Sequence, residues 1–162
     1  MKMTDLLPKS AKKVQDFLKR NGFDFTVREL PGSTRTAAEA ASSIGCTVGQ
    51  IAKSLIFHDK VSNLPILIIA SGANKVDVRK IEAATGLRLH RADGKFIKDT
   101  VGFAIGEIPP VGHNSQLRTL LDPDLRQYET IWAAAGTPFA VFQLPTEVLE
   151  DLTQGEWIAL AE

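Results

Sequence analysis

Residues 54–70 read SLIFHDKVSNLPILIIA, in which two compact apolar runs flank a polar segment. The runs at 54–57 and 64–70 have the length and composition of buried strands, and residues 59–63 have the polar character of a hairpin turn. We therefore predict that the two runs form paired strands of a β-sheet.

Before this hairpin, the sequence predicts short helices and one further strand. Ser10 can cap a helix that ends at Gly22, and the alternation of apolar and polar residues over 23–27 predicts a half-buried strand. Thr36 and Thr47 are each followed three residues later by Glu or Gln, which is the capping-box pattern of a helix start. Two short helical segments are therefore expected between residue 36 and the hairpin.

Beyond the hairpin, strands and short helices intermingle without a regular βαβ period. Apolar spacing predicts helices over 78–86, 96–102 and 146–152, and strands near 87–89, 117–121, 131–134, 139–144 and 157–158. We therefore predict an α+β fold in which short helices surround a mixed, partly barrel-like β-sheet, as a single domain over residues 1–162.

Composition limits the classes of protein to which this chain can belong. Of its 162 residues, 44% are hydrophobic and 23% are charged, as in an ordinary soluble globular domain. The single Cys46 cannot form an internal disulfide, which indicates a reducing compartment. Residues 1–8 lack a signal-peptide pattern, and no apolar run approaches the roughly 20 residues that a membrane helix requires. We predict a cytoplasmic protein that has no membrane partner.

Charge is unevenly distributed although the net charge is zero. Residues 75–98 are rich in Lys and Arg, whereas residues 122–162 are strongly acidic. The basic segment can be a local patch for a phosphate backbone, or simply a solvated helix face. The sequence leaves both interpretations open.

The usual catalytic sets are poorly supported by the sequence. His58, His90 and His113 are scattered, and no HxxxH, CxxC, GxSxG or P-loop spacing is present. We therefore expect no metal and no cofactor. An enzyme with this sequence would work by positioning its substrate and by stabilising an oxyanion with backbone amides.

Lys53 is the side chain that the local sequence singles out. It lies in QIAKSLIF, at the junction of a short helical turn and an apolar strand, where an unpaired ammonium pointing inward would be unfavourable. We predict that Lys53 points into a cleft. The alternative is a lysine that extends from the helix end to water.

Residues 102–113, GFAIGEIPPVGH, cannot form a helix or a central strand, because three glycines bracket a proline pair. Gly106 exposes bare backbone amides, and Pro109 and Pro110 stiffen the second half of the segment, so the loop suits a small polar ligand. An ordinary corner between strands is the alternative. His113 could donate a hydrogen bond or assist proton transfer, or be a plain loop histidine.

Taken together, the motifs resemble those of the YbaK and prolyl-tRNA synthetase editing-domain family. TAAEAASSIGCTVGQIAKSLIF (36–57) resembles the segment that leads to the family's lysine, matched by Lys53. LIIASGANKVDVRKIEAATG (67–86) is similar to its strand, turn and basic helix, and GFAIGEIPPVGH resembles its G-x-x-x-P loop, with Gly106 and Pro110 in the matching places. WAAAGTPFAVFQLP (132–145) also fits, so the resemblance covers about residues 20–160.

The resemblance implies a trans-editing enzyme that hydrolyses the ester of a mischarged aminoacyl-tRNA, typically tRNA for proline carrying alanine, cysteine or another small amino acid. Such enzymes often act beside a prolyl-tRNA synthetase, which is the possible protein partner. The implied catalytic residues are Lys53, Gly106 and Pro110; the implied substrate-binding residues are Gly102, Ile108, Gly112, His113 and Gly136; the implied tRNA contacts are Lys75, Arg79, Lys80, Arg88 and Arg91.

Two other classes of function remain open from the sequence. The chain could be a non-catalytic module that binds aminoacyl-tRNA or a synthetase. It could also be a small-molecule hydrolase that uses His113 and Glu107 as an acid-base pair.

Overall fold

The computed structural model describes residues 6–162. Residues 1–5 lie outside the described residues. They are part of the segment 1–8 in which the sequence shows no signal-peptide pattern. The helices are α1 (Lys9–Arg20), α2 (Ala37–Ile44), α3 (Val78–Thr85), α4 (Gly94–Val101) and α5 (Leu149–Thr153), with 3₁₀ turns at Val48–Gln50, Pro123–Gln127 and Thr146–Val148. None of the helices in residues 6–162 is long and apolar enough to cross a bilayer.

A mixed β-sheet forms the centre of the fold, which confirms the α+β prediction. Its strands are β1 (Arg28–Glu29), β2 (Ile51–Asp59), β3 (Pro65–Ser71), β4 (Leu89–Arg91), β5 (Arg118–Leu121), β6 (Thr130–Ala134), β7 (Ala140–Pro145) and β8 (Glu156–Trp157). The spatial order is β1-β7-β6-β2-β3-β5-β8, and β4 pairs with β2 beside this path. Within the described chain the path does not close, so the sheet is open and not a complete barrel.

The predicted hairpin is the middle of this sheet. Strands β2 and β3 pair antiparallel, from Ala52 opposite Ser71 to His58 opposite Pro65. Leu67 and Ile69 pack into the main hydrophobic cluster, whereas the alternate residues Ile66, Ile68 and Ala70 pack into a second cluster on the other face. Residues 65–70 are continuously apolar because both faces of β3 are covered.

Helix caps largely follow the sequence signals. The Thr36 side chain accepts a hydrogen bond from the Glu39 N–H at the start of α2, and Gly45 ends that helix in the left-handed conformation. The prediction that Ser10 caps α1 is wrong, because the helix begins at Lys9 after Pro8 and no side-chain cap is formed. Ser10 already lies inside the first turn, where it cannot act as the N-cap residue.

The strand predicted over 23–27 is also wrong, since only Arg28–Glu29 pairs as a strand. The Gln15 side chain from α1 donates to the Phe25 carbonyl oxygen at 2.8 Å and accepts from the Val27 N–H at 2.8 Å. A helix side chain thus satisfies backbone groups that a neighbouring strand would otherwise satisfy. The alternation still has a structural cause, because Phe23, Phe25 and Val27 pack against the main core.

Candidate functional site

A cavity of about 660 Å³ lies beside strands β2 and β6 of the sheet. Residues of β2 and β6 line one side, α2 and the end of β4 line others, and the loop between α4 and β5 contributes Ile105, Gly106 and Ile108. Most of the lining is aliphatic or aromatic, and the cationic side chains on it are Lys53, Arg35 and Arg91. An apolar pocket with a few polar groups is the usual form of a small-ligand site.

Lys53 lies near the start of β2, directly after the 3₁₀ turn Val48–Gln50, as the sequence predicts, and it lines this cavity. Its side chain is half-buried, and its Nζ donates a hydrogen bond of 2.6 Å to the Asn74 carbonyl oxygen. Burial lowers the pKa of the Lys53 ammonium, and the negative charge of Asp122 opposes this shift. The structure therefore holds a partly desolvated cation at the cavity wall.

The loop that carries Gly106 presents its backbone to the same cavity. Gly106 has a φ of +84°, a conformation that favours glycine, and the adjacent Glu107 N–H is taken up by the Ala104 carbonyl oxygen at 3.0 Å. The Gly106 N–H makes no hydrogen bond within residues 6–162. The Gly106 amide is thus among the amides of this turn that have no protein partner in the described residues and can bind a ligand. Ile108 is buried and adds an apolar contact to the cavity wall.

Two neighbouring segments fix this loop in place. The Gly136 N–H donates to the Glu107 carbonyl oxygen at 3.1 Å, and the Arg35 guanidinium lies 3.5 Å from the Glu107 carboxylate. A Cβ placed on Gly106 would lie 3.3 Å from the Arg35 carbonyl oxygen. Gly136 therefore lies behind the loop and supports it, and is not among the residues that line the cavity.

The second half of the predicted loop faces elsewhere. Pro110, Gly112 and His113 flank a separate cavity of about 280 Å³. The His113 ring donates from Nε2 to the Pro109 carbonyl oxygen at 2.7 Å, and burial lowers the pKa of this histidine. Gly102 ends α4 with a φ of +93° and borders a third hollow beside α1. The structure therefore does not bring these predicted site residues next to Lys53.

His113 and Glu107 do not form a pair. The hydrogen bond of His113 goes to Pro109, and the carboxylate of Glu107 is paired with Arg35. Because the imidazole and the carboxylate have different partners and no contact joins them within residues 6–162, the geometry does not support an acid-base pair.

A model of the aminoacyl-tRNA editing domain matches residues 32–152, a range that includes Lys53, Gly106 and all the other residues that line the cavity. The chain belongs to this family. The match confirms the family resemblance that the sequence motifs carry.

The editing domain has similar relatives among both sequences and solved structures. YwhH of Bacillus subtilis is 30% identical over 133 residues, covering 82% of this chain and 84% of YwhH. EbsC of Enterococcus faecalis, provisionally named a Cys-tRNA(Pro)/Cys-tRNA(Cys) deacylase, is 28% identical over 126 residues, covering 75% and 74%. A solved structure provisionally described as a trans-editing enzyme for prolyl-tRNA synthetase is 43% identical, with a TM-score of 0.90 and coverage of 96% and 99%.

The five basic residues of the editing domain that were predicted to contact tRNA are all exposed. Arg91, at the end of β4, lines the main cavity. Lys80 on α3 donates from Nζ to the Ala161 carbonyl oxygen at 2.7 Å. Lys75 precedes α3, Arg79 lies on it and Arg88 precedes β4, so the five side chains lie around α3 and the β4 end of the cavity.

Sequence reasoning missed Ser54 of the editing domain. Its Oγ is buried and has no hydrogen-bond partner within residues 6–162, and the residue, which follows Lys53 in the sequence, is among those that line the main cavity. A buried hydroxyl without a protein partner is uncommon and is a candidate for a ligand contact. Adjacency to Lys53 is the one signal in the sequence that could have found it.

Thiol and metal chemistry find little support in the described residues of the editing domain. Burial raises the pKa of the Cys46 thiol, which disfavours the reactive thiolate. No group of three or more His, Cys, Asp or Glu residues within 6–162 is arranged to hold a metal ion.

Proposed function

We propose that this protein is a trans-editing deacylase that hydrolyses the ester of mischarged aminoacyl-tRNA, in particular tRNA for proline carrying alanine, cysteine or another small amino acid. The observation that carries the proposal is one cavity of about 660 Å³ that is lined by both Lys53 and Gly106. A cation and a free amide on an apolar wall suit a substrate that joins a phosphate-bearing end to a small acyl group.

The names of the relatives support the proposed substrate class. EbsC is provisionally named as a deacylase of cysteine esters on tRNA for proline and tRNA for cysteine. The 43% identical structure carries a provisional description as a trans-editing enzyme for prolyl-tRNA synthetase, which makes that synthetase the proposed protein partner. Small amino acids differ by about one methylene, which a pocket discriminates by only about 1–3 kcal/mol, so a second hydrolytic site is the physical remedy.

In the proposed reaction, water adds to the aminoacyl carbonyl carbon and the ester bond to the ribose oxygen breaks. The Gly106 amide holds the carbonyl oxygen and the oxyanion that develops on it. The proton released by the water reaches the leaving ribose oxygen, and the products are the free amino acid and the uncharged tRNA. Pro110, buried behind the loop, keeps the segment after Gly106 in one conformation.

Lys53 would contact the phosphate or ribose of the terminal adenosine. A ribose hydroxyl of the substrate would help to activate the attacking water, because no Asp, Glu or His side chain among residues 6–162 lines this cavity. The Ser54 hydroxyl would add a polar contact to the aminoacyl group. The cations around α3 and β4 would meet the phosphate backbone of the acceptor stem.

The proposal is tested with tRNA for proline charged with alanine, cysteine, serine or 2-aminobutyrate, using correctly charged prolyl-tRNA as the control. We expect ester loss well above the spontaneous rate for at least one small amino acid and not for proline. Spontaneous rates throughout the panel would overturn the deacylase. Binding without hydrolysis would indicate a recognition module, and turnover of simple esters without tRNA would indicate a small-molecule hydrolase.

A further inference from the structure

Asn74, in the turn between β3 and α3, joins Lys53 to a pair of acidic residues. Its carbonyl oxygen accepts the hydrogen bond from Lys53 Nζ at 2.6 Å. Its side-chain Nδ2 donates to Asp122 Oδ2 and to Asp124 Oδ2, each at 2.8 Å. The backbone of Asn74 thus faces the lysine, while its side chain is tied to the segment that follows β5.

Asp122 is itself fixed by backbone groups. The carboxylate is buried, and its Oδ2 accepts from the Ser71 N–H at 3.0 Å while its Oδ1 accepts from the Asp124 N–H at 3.0 Å. Ser71 is the last residue of β3 and Asp124 lies in the 3₁₀ turn after β5. Because two secondary-structure elements hold this carboxylate, it provides a rigid anchor for the Asn74 amide.

We propose that Asn74 is a positioning residue for Lys53, and that its side-chain tether to Asp122 and Asp124 sets where the ammonium points in the cavity. The inference rests on the proposed function, since it gives Lys53 a place in the substrate site. It assigns to the β3–α3 turn a role that neither the sequence motifs nor the cavity lining indicates.

The physical reason lies in the flexibility and the charge of lysine. A lysine side chain loses about 2 kcal/mol of rotamer entropy when it is held in one conformation, so a fixed ammonium needs a firmly placed acceptor. A carbonyl oxygen supplies that acceptor without cancelling the positive charge. A carboxylate in direct contact would pair with the ammonium and compete with an anionic substrate. Asp122 therefore holds Asn74 by a hydrogen bond and acts on Lys53 directly only through its charge.

The positioning role is tested first without any substrate. Hydrogen exchange of the Lys53 ammonium with water is followed by ¹⁵N NMR in the parent protein, with the signal assigned by its loss in Lys53→Met. We expect slow exchange in the parent and at least severalfold faster exchange in Asn74→Ala. Asn21→Ala is the matched control, because it also removes a side-chain amide hydrogen bond, at the end of α1. Asn21 is not among the residues that line the cavity.

The second test is kinetic and uses the double variant. Asn74→Ala is expected to lower kcat/KM for deacylation at least fivefold. Whichever of kcat and KM changes in Lys53→Met should also be the one that changes in Asn74→Ala. If Asn74 acts through Lys53, the variant carrying both substitutions is no slower than Lys53→Met alone, within about twofold. Asp124→Ala removes one exposed acceptor of the tether and should give a smaller change in the same direction, which covers the case in which Asn74→Ala does not fold.

The outcomes separate this inference from the proposed function. Unchanged ammonium exchange in a folded Asn74→Ala variant, or losses of kcat/KM that multiply in the double variant, would overturn the positioning role even if the parent is an active deacylase. A parent that deacylates no mischarged tRNA would overturn the proposed function, while the exchange measurement would still decide whether Asn74 holds Lys53.

Discussion

The Gly136 N–H donates a hydrogen bond of 3.1 Å to the Glu107 carbonyl oxygen, so the connection between β6 and β7 holds the residue next to Gly106. Gly136 itself has a φ of +91°. A Cβ at this position would lie 2.9 Å from the Ser10 carbonyl oxygen and 3.0 Å from the Phe103 ring. The loop of the proposed site thus depends on a close approach of three segments that are far apart in sequence.

Gly136→Ala should therefore destabilise the fold and slow deacylation together. Backbone strain at a positive φ costs about 1–3 kcal/mol, and the clash with the Ser10 carbonyl adds to it. The free energy of unfolding from urea denaturation and kcat/KM measure the two effects. Gly22→Ala, also at positive φ but with open space around its Cβ, should lower stability less and leave kcat/KM unchanged. Equal losses of stability in the two variants would contradict the packing argument.

Gly106→Ala is expected to lower the deacylation rate by about tenfold. The structural reason is that the added Cβ meets the Arg35 carbonyl oxygen at 3.3 Å, so the turn and its free N–H must shift. Gly86→Ala is the matched control, since Gly86 has a φ of +78° with nothing within 4 Å. Unchanged kinetics in a Gly106→Ala variant that is as stable as Gly86→Ala would remove this amide from the site.

Lys53→Met should abolish most of the activity and change how the free energy of unfolding depends on pH. Burial lowers the lysine pKa, so at neutral pH the folded state carries a charge that it holds less favourably than the unfolded chain does. As pH rises through the folded-state pKa and then past the ordinary value of 10.5, the charge is lost in both states. The free energy of unfolding of the parent should therefore rise relative to that of Lys53→Met between pH 7 and pH 10.5 in urea titrations. A difference that is independent of pH would contradict this account.

Ser54→Ala should leave stability within about 1 kcal/mol of the parent, because the buried hydroxyl has no hydrogen bond within the described chain to lose. If the hydroxyl contacts the aminoacyl group, kcat/KM should fall about fivefold, as for one neutral hydrogen bond. Ser42→Ala, at an exposed position on α2, serves as the control. A large loss of stability would mean that the hydroxyl has a structural partner.

Asp59→Asn should weaken the hairpin between β2 and β3. The carboxylate accepts from the Ser62 hydroxyl at 2.7 Å and from the Arg88 N–H at 3.0 Å, and these bonds lower its pKa to about 2. The stability they provide is complete above the ordinary carboxyl value of 3.8 and is lost as pH falls through about 2. The urea midpoint of Asp59→Asn should lie below that of the parent at pH 7, and the gap should narrow below pH 4. Asp24→Asn, at an exposed carboxyl, should show no such gap.

Most elements of the fold were predictable because their signals are local. The apolar runs of β2 and β3, the Thr36 cap of α2 and the glycine stops after α2, α3 and α4 follow from neighbouring residues. The strand over 23–27 was predicted wrongly, because the alternation of apolar and polar residues there reflects contact with the core. The Gln15 side chain from α1 makes hydrogen bonds with the backbone of this segment. A distant side chain of this kind leaves no periodic trace in the sequence.

The candidate site was only partly accessible from the sequence. Lys53 and Gly106 were identified and do line one cavity, whereas Pro110 and His113, a few residues further on, face another. Consecutive residues of a loop point in different directions once its turns are formed. A sequence motif therefore does not show which of its residues line the same cavity. Ser54 and Asn74 were missed because burial and a carbonyl contact depend on other segments.

By itself, the sequence determined the α+β class, the central hairpin, most of the helix ends and the family, because each depends on local composition and spacing. Only the tertiary structure decided that the sheet stays open and that Gly136 supports the Gly106 loop. It also decided that Asn74 accepts a hydrogen bond from Lys53 and donates one to Asp122. Hydrogen bonds and close packing between distant segments decide these features, and they exist only after the chain has folded.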